Sequence, residues 1–227
     1  MTDLNLVLAV IPISALTERN LFFHFTRLNN MKIELMTMTD EITNKGAPVP
    51  VRVATATFGT GCFWCTEALF QNLNGVISVA PGYSGGSVKD PTYKDVCKGN
   101  TGHAEVIQII YDPSILSFDD LLEVFWKSHD PTTLNRQGND VGPQYRSVVF
   151  YHDEVQRQKA EKYKSELDSS KIFEQPIVTE ISPFTEFYVA EDYHYNYYNN
   201  NGSQPYCYYV IRPKLEKFKN IFKEKIV

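Results

Sequence analysis

The 227-residue sequence has only four cysteines, too few in a chain this long to suggest a small fold stapled by disulfides. It has no cationic excess. Its 22 Lys and Arg face 27 Asp and Glu, for a net charge of −5, which removes the usual electrostatic grounds for binding nucleic acid or an anionic membrane. It has no internal repeat, and the apolar run over residues 4–16 is too short to span a bilayer. That run is a poor match to a secretory signal as well. Asp3 precedes it where Lys or Arg is usual, and Glu18 and Arg19 follow it without a small-residue cleavage site. Residues 1–45 therefore read as an N-terminal extension, or as a misplaced start with Met31, Met36 and Met38 as alternatives. Residues 46–227 read as the folded domain. The expected location is the cytoplasm, with export through a degenerate signal as the alternative, and the expected state is a monomer.

What is present is a globular composition, 43% hydrophobic, with 14 Tyr and 14 Phe, which suits one domain of roughly 150–200 residues plus extensions. Residues 51–58 are β-branched and alternating, ending at Gly59, and predict a strand. A helix follows over 67–73, stopped by Asn74 and Gly75, then a short strand over 76–80. The loop from Tyr83 to Gly102 is long enough to suggest function. Residues 104–111 form the clearest strand. Ser117 to Asp120 resembles a capping box that starts a helix to about His129, with Leu121, Leu122, Phe125 and Trp126 on its buried face. A polar loop over 130–142, a strand over 145–151, a helix over 153–167, a strand over 176–181 and a helix over 215–225 complete the chain. Helices and strands alternate in this way in two-layer α/β or α+β domains, with helices packed on a sheet.

The five residues Gly61-Cys62-Phe63-Trp64-Cys65 join the first strand to the first helix. A cysteine at a helix start meets free backbone N–H groups and the positive end of the helix dipole. Both favour a thiolate, so Cys62 is a candidate nucleophile with an expected pKa below that of a free thiol. Cys65 lies one turn on, within reach of a disulfide. The aromatic pair between them suggests an apolar pocket. The spacing also admits an inert buried pair, or half of a zinc site completed by Cys97 and Cys207, although neither of these has a second ligand nearby. Glu105 alternates with apolar neighbours along its strand. It either faces water at an edge or points inward, where a raised pKa suits a general acid. The loop over 136–146, with Asp140 and Tyr145, and Tyr93 in the preceding loop are polar groups of the kind that bind a small polar substrate. Residues 193–209 are rich in Tyr and Asn and read as a hydrogen-bonding surface loop.

Several segments taken together resemble the peptide methionine sulfoxide reductase A family. They are GCFWC at 61–65, GYSGG at 82–86, YKDVCKGNTGHAE at 93–105, FWKSHDP at 125–131, RQGNDVGPQYR at 136–146, AEDYH at 190–194 and QPYC at 204–207. They occur in one order between about residues 53 and 218, and residues 1–45 lie outside the similarity. The resemblance implies an α+β two-layer sandwich with a ferredoxin-like core and long coil segments, and a catalytic domain over 46–227. It implies Cys62 as the nucleophile, Phe63 and Trp64 as the wall holding the substrate methyl group, Glu105 as the acid near the sulfoxide oxygen, and Tyr93, Asp140 and Tyr145 as polar groups lining the site. The implied substrate is the S epimer of methionine sulfoxide, free or in proteins, and thioredoxin is the implied reductant. No metal or organic cofactor is implied. A thioredoxin-like thiol-disulfide oxidoreductase is the rival enzyme reading; it explains Cys62 and Cys65 but not Glu105 or the Asp140 loop.

The sequence departs from one common form of the family, which has Gly at the position of Cys65 and resolving cysteines near the C-terminus. Two thiols therefore compete to resolve an oxidised Cys62. Loop closure favours Cys65, which is close in sequence. Cys207 is the rival, on a segment able to fold over the site.

Overall fold

The structure is a computed structural model that describes residues 52–226. The expected extension over 1–45 lies outside the described residues. In chain order the elements are β1 Ala54–Thr60, α1 Phe63–Phe70, β2 Val76–Ser84, α2 Tyr93–Val96, β3 Ala104–Tyr111, α3 Phe118–Ser128, β4 Arg136–Gln137, β5 Asp140–Val141, β6 Ser147–Tyr151, α4 Glu154–Ser170, β7 Glu180–Pro183, β8 Phe187–Val189, α5 Tyr197–Asn200 and α6 Arg212–Ile221. Among the described residues, six strands make one sheet in the order β7-β6-β1-β3-β2-β8, and β4 and β5 pair separately.

The inner four strands, β6-β1-β3-β2, are antiparallel throughout. With α1 between β1 and β2 and α3 between β3 and β6, this is the ferredoxin-like βαββαβ arrangement. β7 adds to β6 in parallel, and β8 adds to β2 antiparallel. Strand order could not be read from local sequence. It follows from which apolar faces find one another. The Phe58 ring on β1 lies 5.8 Å from Phe70 on α1, and 6.0 and 5.1 Å from Phe118 and Phe125 of α3. Both helices therefore cover the same face of the sheet. A smaller cluster of Ala104, Val106, Val148 and Phe150, with Phe184 and Phe187 against it, fills a second apolar layer.

The local signals explain most boundaries. Ser117 and Asp120 form the expected reciprocal cap on α3, each side chain taking the other's backbone N–H. Asp153 caps α4 by accepting from the Gln156 N–H. Five boundaries differ from the sequence expectation. Helix α1 starts at Phe63, not near Glu67, because its first N–H is capped from outside by β3. Strand β2 runs on through Pro81 and Gly82 to Ser84. Pro81 is tolerated because it precedes the stretch where β8 pairs with residues 82–84. The expected strand over 176–181 is displaced to Glu180–Pro183. Tyr145 ends a 3₁₀ turn, Pro143–Tyr145, and does not begin β6. The last helix begins at Arg212, with Pro213 tolerated in its first turn, and continues from a π turn over Cys207–Ile211.

Candidate active site

The β1–α1 junction organises the site. Gly61 has φ +98°, and a Cβ there would lie 2.6 Å from the Gln137 Cβ. Only glycine permits both this turn and the close approach of the β4–β5 hairpin. Cys62 is the N-cap of α1, and its side chain makes no capping bond. The N–H of the next residue, which has no partner within the helix, is satisfied by Glu105, whose Oε2 accepts the Phe63 N–H at 3.1 Å. Glu105 is only 1% exposed, so its strand turns it inward. Its second oxygen, Oε1, is buried with no hydrogen-bond partner. Burial pushes the Glu105 carboxyl up to about 8; the Phe63 N–H opposes this, and the charges of Asp140 and Cys65 add to it. At neutral pH the group is therefore mostly a neutral acid, with a proton to give.

Cys62, Cys65 and Cys207 pack into one buried cluster with Ala68 and Ile211. All three are free thiols. The lowered pKa expected for Cys62 is not found. Burial raises it well above the ordinary thiol value, and Cys65 and the Glu105 carboxylate raise it further. Cys65 is instead lowered to about 7, chiefly because it accepts a hydrogen bond from Cys62. One proton is thus shared by the pair, with the first negative charge on the Cys65 side. The physical reason is that desolvation of a buried thiolate outweighs the field of a short, eight-residue helix. Burial also raises the Cys207 thiol, with the charge of Cys65 adding to it. Cys97 lies apart from this cluster, exposed, with its backbone N–H donating to the Tyr93 carbonyl at 2.9 Å. Among the described residues, no group of three or more Cys, His, Asp or Glu side chains is placed to hold a metal.

The aromatic pair is held from several sides. The Phe63 ring centroid lies 5.8 Å from Tyr83, 6.3 Å from Tyr93 and 4.9 Å from His194. Trp64 stacks on Tyr197 at 3.7 Å and an angle of 6°. Its indole N–H donates to His194 Nδ1 at 3.0 Å. The polar groups converge on the same place. Tyr93 and Tyr145 are both pushed up, first by burial and then by the Glu105 carboxylate. Asp140, on β5, accepts from the Tyr206 hydroxyl at 2.8 Å, and that hydroxyl lies 3.8 Å from Cys65 Sγ. Cys62, Phe63, Trp64, Cys65, Tyr93, Glu105, Asp140, Tyr145 and Cys207 are therefore brought into one neighbourhood, and Cys97 is not.

Sequence reading assigned no role to Tyr206, His194, Glu191 or Glu67. Glu191 accepts from the Tyr83 hydroxyl and from the Tyr93 N–H, at 3.0 and 2.9 Å. Glu67 sits in α1, 2% exposed, and burial pushes its carboxyl up to about 7 against two backbone N–H donors. A usable signal existed for Glu67 alone, as a carboxylate inside an otherwise apolar helical run, FWCTEALF.

A buried dithiol facing a neutral carboxylic acid, on a ferredoxin-like α+β frame, defines a thiol-based redox enzyme. Comparison with known proteins gives the family. The model of the family described as peptide methionine sulfoxide reductase matches residues 54–226. The peptide methionine sulfoxide reductase MsrA of Saccharolobus solfataricus is 56% identical over 171 residues, covering 75% of this chain and 96% of the relative. Among solved structures, Mxr1 from Saccharomyces cerevisiae in reduced form is 35% identical with a TM-score of 0.65, covering 70% of this chain and 91% of that one. Methionine sulfoxide reductase A of Corynebacterium diphtheriae is 36% identical with a TM-score of 0.60, covering 67% and 76%. The chain belongs to the peptide methionine sulfoxide reductase family, and its activity is thiol-dependent reduction of methionine sulfoxide. This decides against the thioredoxin-like and zinc-site alternatives.

Proposed function

We propose that Cys62 is the nucleophile that reduces the S epimer of methionine sulfoxide, free or within oxidised proteins. The observation that carries this reading is the position of Glu105 against the residue after Cys62: its Oε2 accepts the Phe63 N–H at 3.1 Å, and its Oε1 is buried without a partner. The neutral Glu105 donates its proton to the sulfoxide oxygen, with the Tyr93 and Tyr145 hydroxyls as further donors. The sulfur becomes electrophilic, and Cys62, its own proton passing toward the charge held on Cys65, attacks it. Attack forms a bond between Cys62 Sγ and the substrate sulfur. The protonated oxygen then leaves that sulfur and bonds to Cys62 Sγ as the Sγ–S bond breaks, its electron pair staying on the methionine sulfur, so that methionine leaves and Cys62 is left as a sulfenic acid. Phe63 and Trp64 form the apolar wall against the substrate methyl group. Asp140 orients Tyr206 beside the thiols.

A second thiol then condenses with the sulfenic acid, forming a disulfide and releasing water. Cys65 is the first candidate, and Cys207, in the same buried cluster, is the second. An external dithiol protein, which we take to be thioredoxin, reduces the disulfide and is itself oxidised. No bound cofactor enters this sequence. We assign the catalytic domain to residues 46–227 and the extension to 1–45, and expect a monomer in the cytoplasm, with export as the alternative. Among the described residues, no helix is long and apolar enough to cross a membrane.

The test is single-turnover release of methionine from a peptide S-sulfoxide without reductant. Cys62→Ser should release none, while Cys65→Ser, Cys97→Ser and Cys207→Ser should each release about one equivalent, because reduction precedes resolution. Stoichiometric release by Cys62→Ser would refute the assignment.

A further inference from the structure

Glu67 is a carboxylate where packing alone calls for an apolar side chain. Helix α1 is buried on nearly every side, and burying a charge there is costly unless hydrogen bonds compensate it. The compensation comes from 129 and 130 positions away. Glu67 Oε1 accepts the Asn196 N–H at 2.7 Å, and Oε2 accepts the Tyr197 N–H at 3.3 Å. Asn196 is left-handed, with φ +52°, and has no side-chain cap of its own for the short helix α5 that follows it. Glu67 therefore supplies the cap from α1.

The consequence falls on Trp64. Tyr197, held by its own N–H, stacks on one face of the indole at 3.7 Å. His194, two residues before Asn196, accepts the indole N–H at 3.0 Å. Trp64 is thus gripped at its face and its edge by one segment, and Glu67 pins that segment to the helix bearing Cys62 and Cys65. Without the pin, α5 has no cap and the stack has no fixed register.

We propose that Glu67 is a positioning residue for substrate recognition: by holding the backbone of Asn196 and Tyr197, it sets the orientation of the Trp64 indole against which the substrate methyl group packs. The proposal rests on the reading of Trp64 as a wall of the substrate site. Glu67 does not touch substrate and acts through Tyr197 and His194.

The experiment uses the full chain carrying Trp126→Phe, so that tryptophan emission reports Trp64 alone. Glu67→Ala removes both acceptors. Glu67→Gln keeps one, able to serve the Asn196 N–H but not the Tyr197 N–H. Single-turnover kinetics against a peptide methionine sulfoxide give the half-saturating concentration and the saturated rate separately. Glu67→Ala should raise the half-saturating concentration about tenfold, the scale of losing hydrogen bonds to a charged group, with the saturated rate changed less than about threefold. Its Trp64 emission should shift, and Glu67→Gln should fall between it and the parent in both readouts. Tyr197→Leu, which removes the stack and leaves α1 intact, should move emission and half-saturation the same way, and decides the matter with Glu67→Gln if Glu67→Ala does not fold. Variants that lower the melting temperature but leave emission and half-saturation at parent values would show Glu67 to be structural only. Trp64→Leu separates the two readings. If it leaves half-saturation unchanged, the methyl-wall reading fails and this proposal falls with it. If it raises half-saturation while Glu67→Gln and Tyr197→Leu do not, only the role of Glu67 is refuted.

Discussion

Glu105→Gln is the substitution that separates proton donation from everything else Glu105 does. In the structure Oε2 takes the Phe63 N–H at 3.1 Å and Oε1 is free. A glutamine oxygen accepts the same N–H, and its NH₂ occupies the place of Oε1. The helix cap and the packing survive, and a hydrogen-bond donor still reaches the sulfoxide, but no proton can be given up. Loss of a general acid is typically worth about 10²–10⁴-fold, and the saturated single-turnover rate should fall within that range. The pH profile should change shape as well. Cys65 is lowered to about 7 and Glu105 raised to about 8, so the wild-type rate should rise through the first value and fall through the second. The variant should lose the descending limb. Stability offers an independent reading. The folded Glu105 pKa lies above its ordinary 4.5, so its contribution is fully present below pH 4.5 and is lost as pH rises through about 8. At about 1.4 kcal/mol per pH unit, wild type should lose roughly 3 kcal/mol relative to Glu105→Gln between pH 5 and 7, as an upper bound, measured by urea unfolding. A variant rate within about twofold of wild type, with the same descending limb, would overturn the acid role.

Two further outcomes follow from the cysteine cluster. If Cys65 resolves, Cys65→Ser should accumulate a dimedone-reactive sulfenic acid and lose thioredoxin-dependent turnover, while Cys207→Ser stays near wild type; a Cys62–Cys207 disulfide with Cys65 free in oxidised wild type would show that the other thiol resolves. In the resting enzyme the charge lies on the Cys65 side, so iodoacetamide mapped by mass spectrometry across pH should label Cys65 with a midpoint near 7 and Cys62 only at higher pH; first labelling at Cys62 would reverse the assignment.

Much of the site was legible in the sequence because its chemistry depends on short segments. The GCFWC segment places a thiol at a helix start whatever the rest of the chain does. Alternation along residues 104–111 restricts Glu105 to one of two faces. The capping pair of Ser117 and Asp120 is local, and so was α3. What local pattern could not set was the sign of the Cys62 shift. The helix-start argument sees backbone N–H groups and the dipole, but the removal of water from Cys62 is made by α1, Tyr145 and the segment bearing Tyr197 and Cys207 together.

The sequence by itself determined the alternation of helices and strands, the identity of the thiols and the acid, and, through several motifs in one order, the family. Each of these depends on residues close together in the chain, where spacing and periodicity carry the information. Only the tertiary structure decided that Glu105 faces inward, that it caps Phe63, that Tyr206 bridges Asp140 and Cys65, and that Glu67 clamps a segment 129 positions away. Those pairings join groups far apart in sequence. Burial makes each of them decisive, because a polar atom removed from water must find its partner wherever the fold brings one.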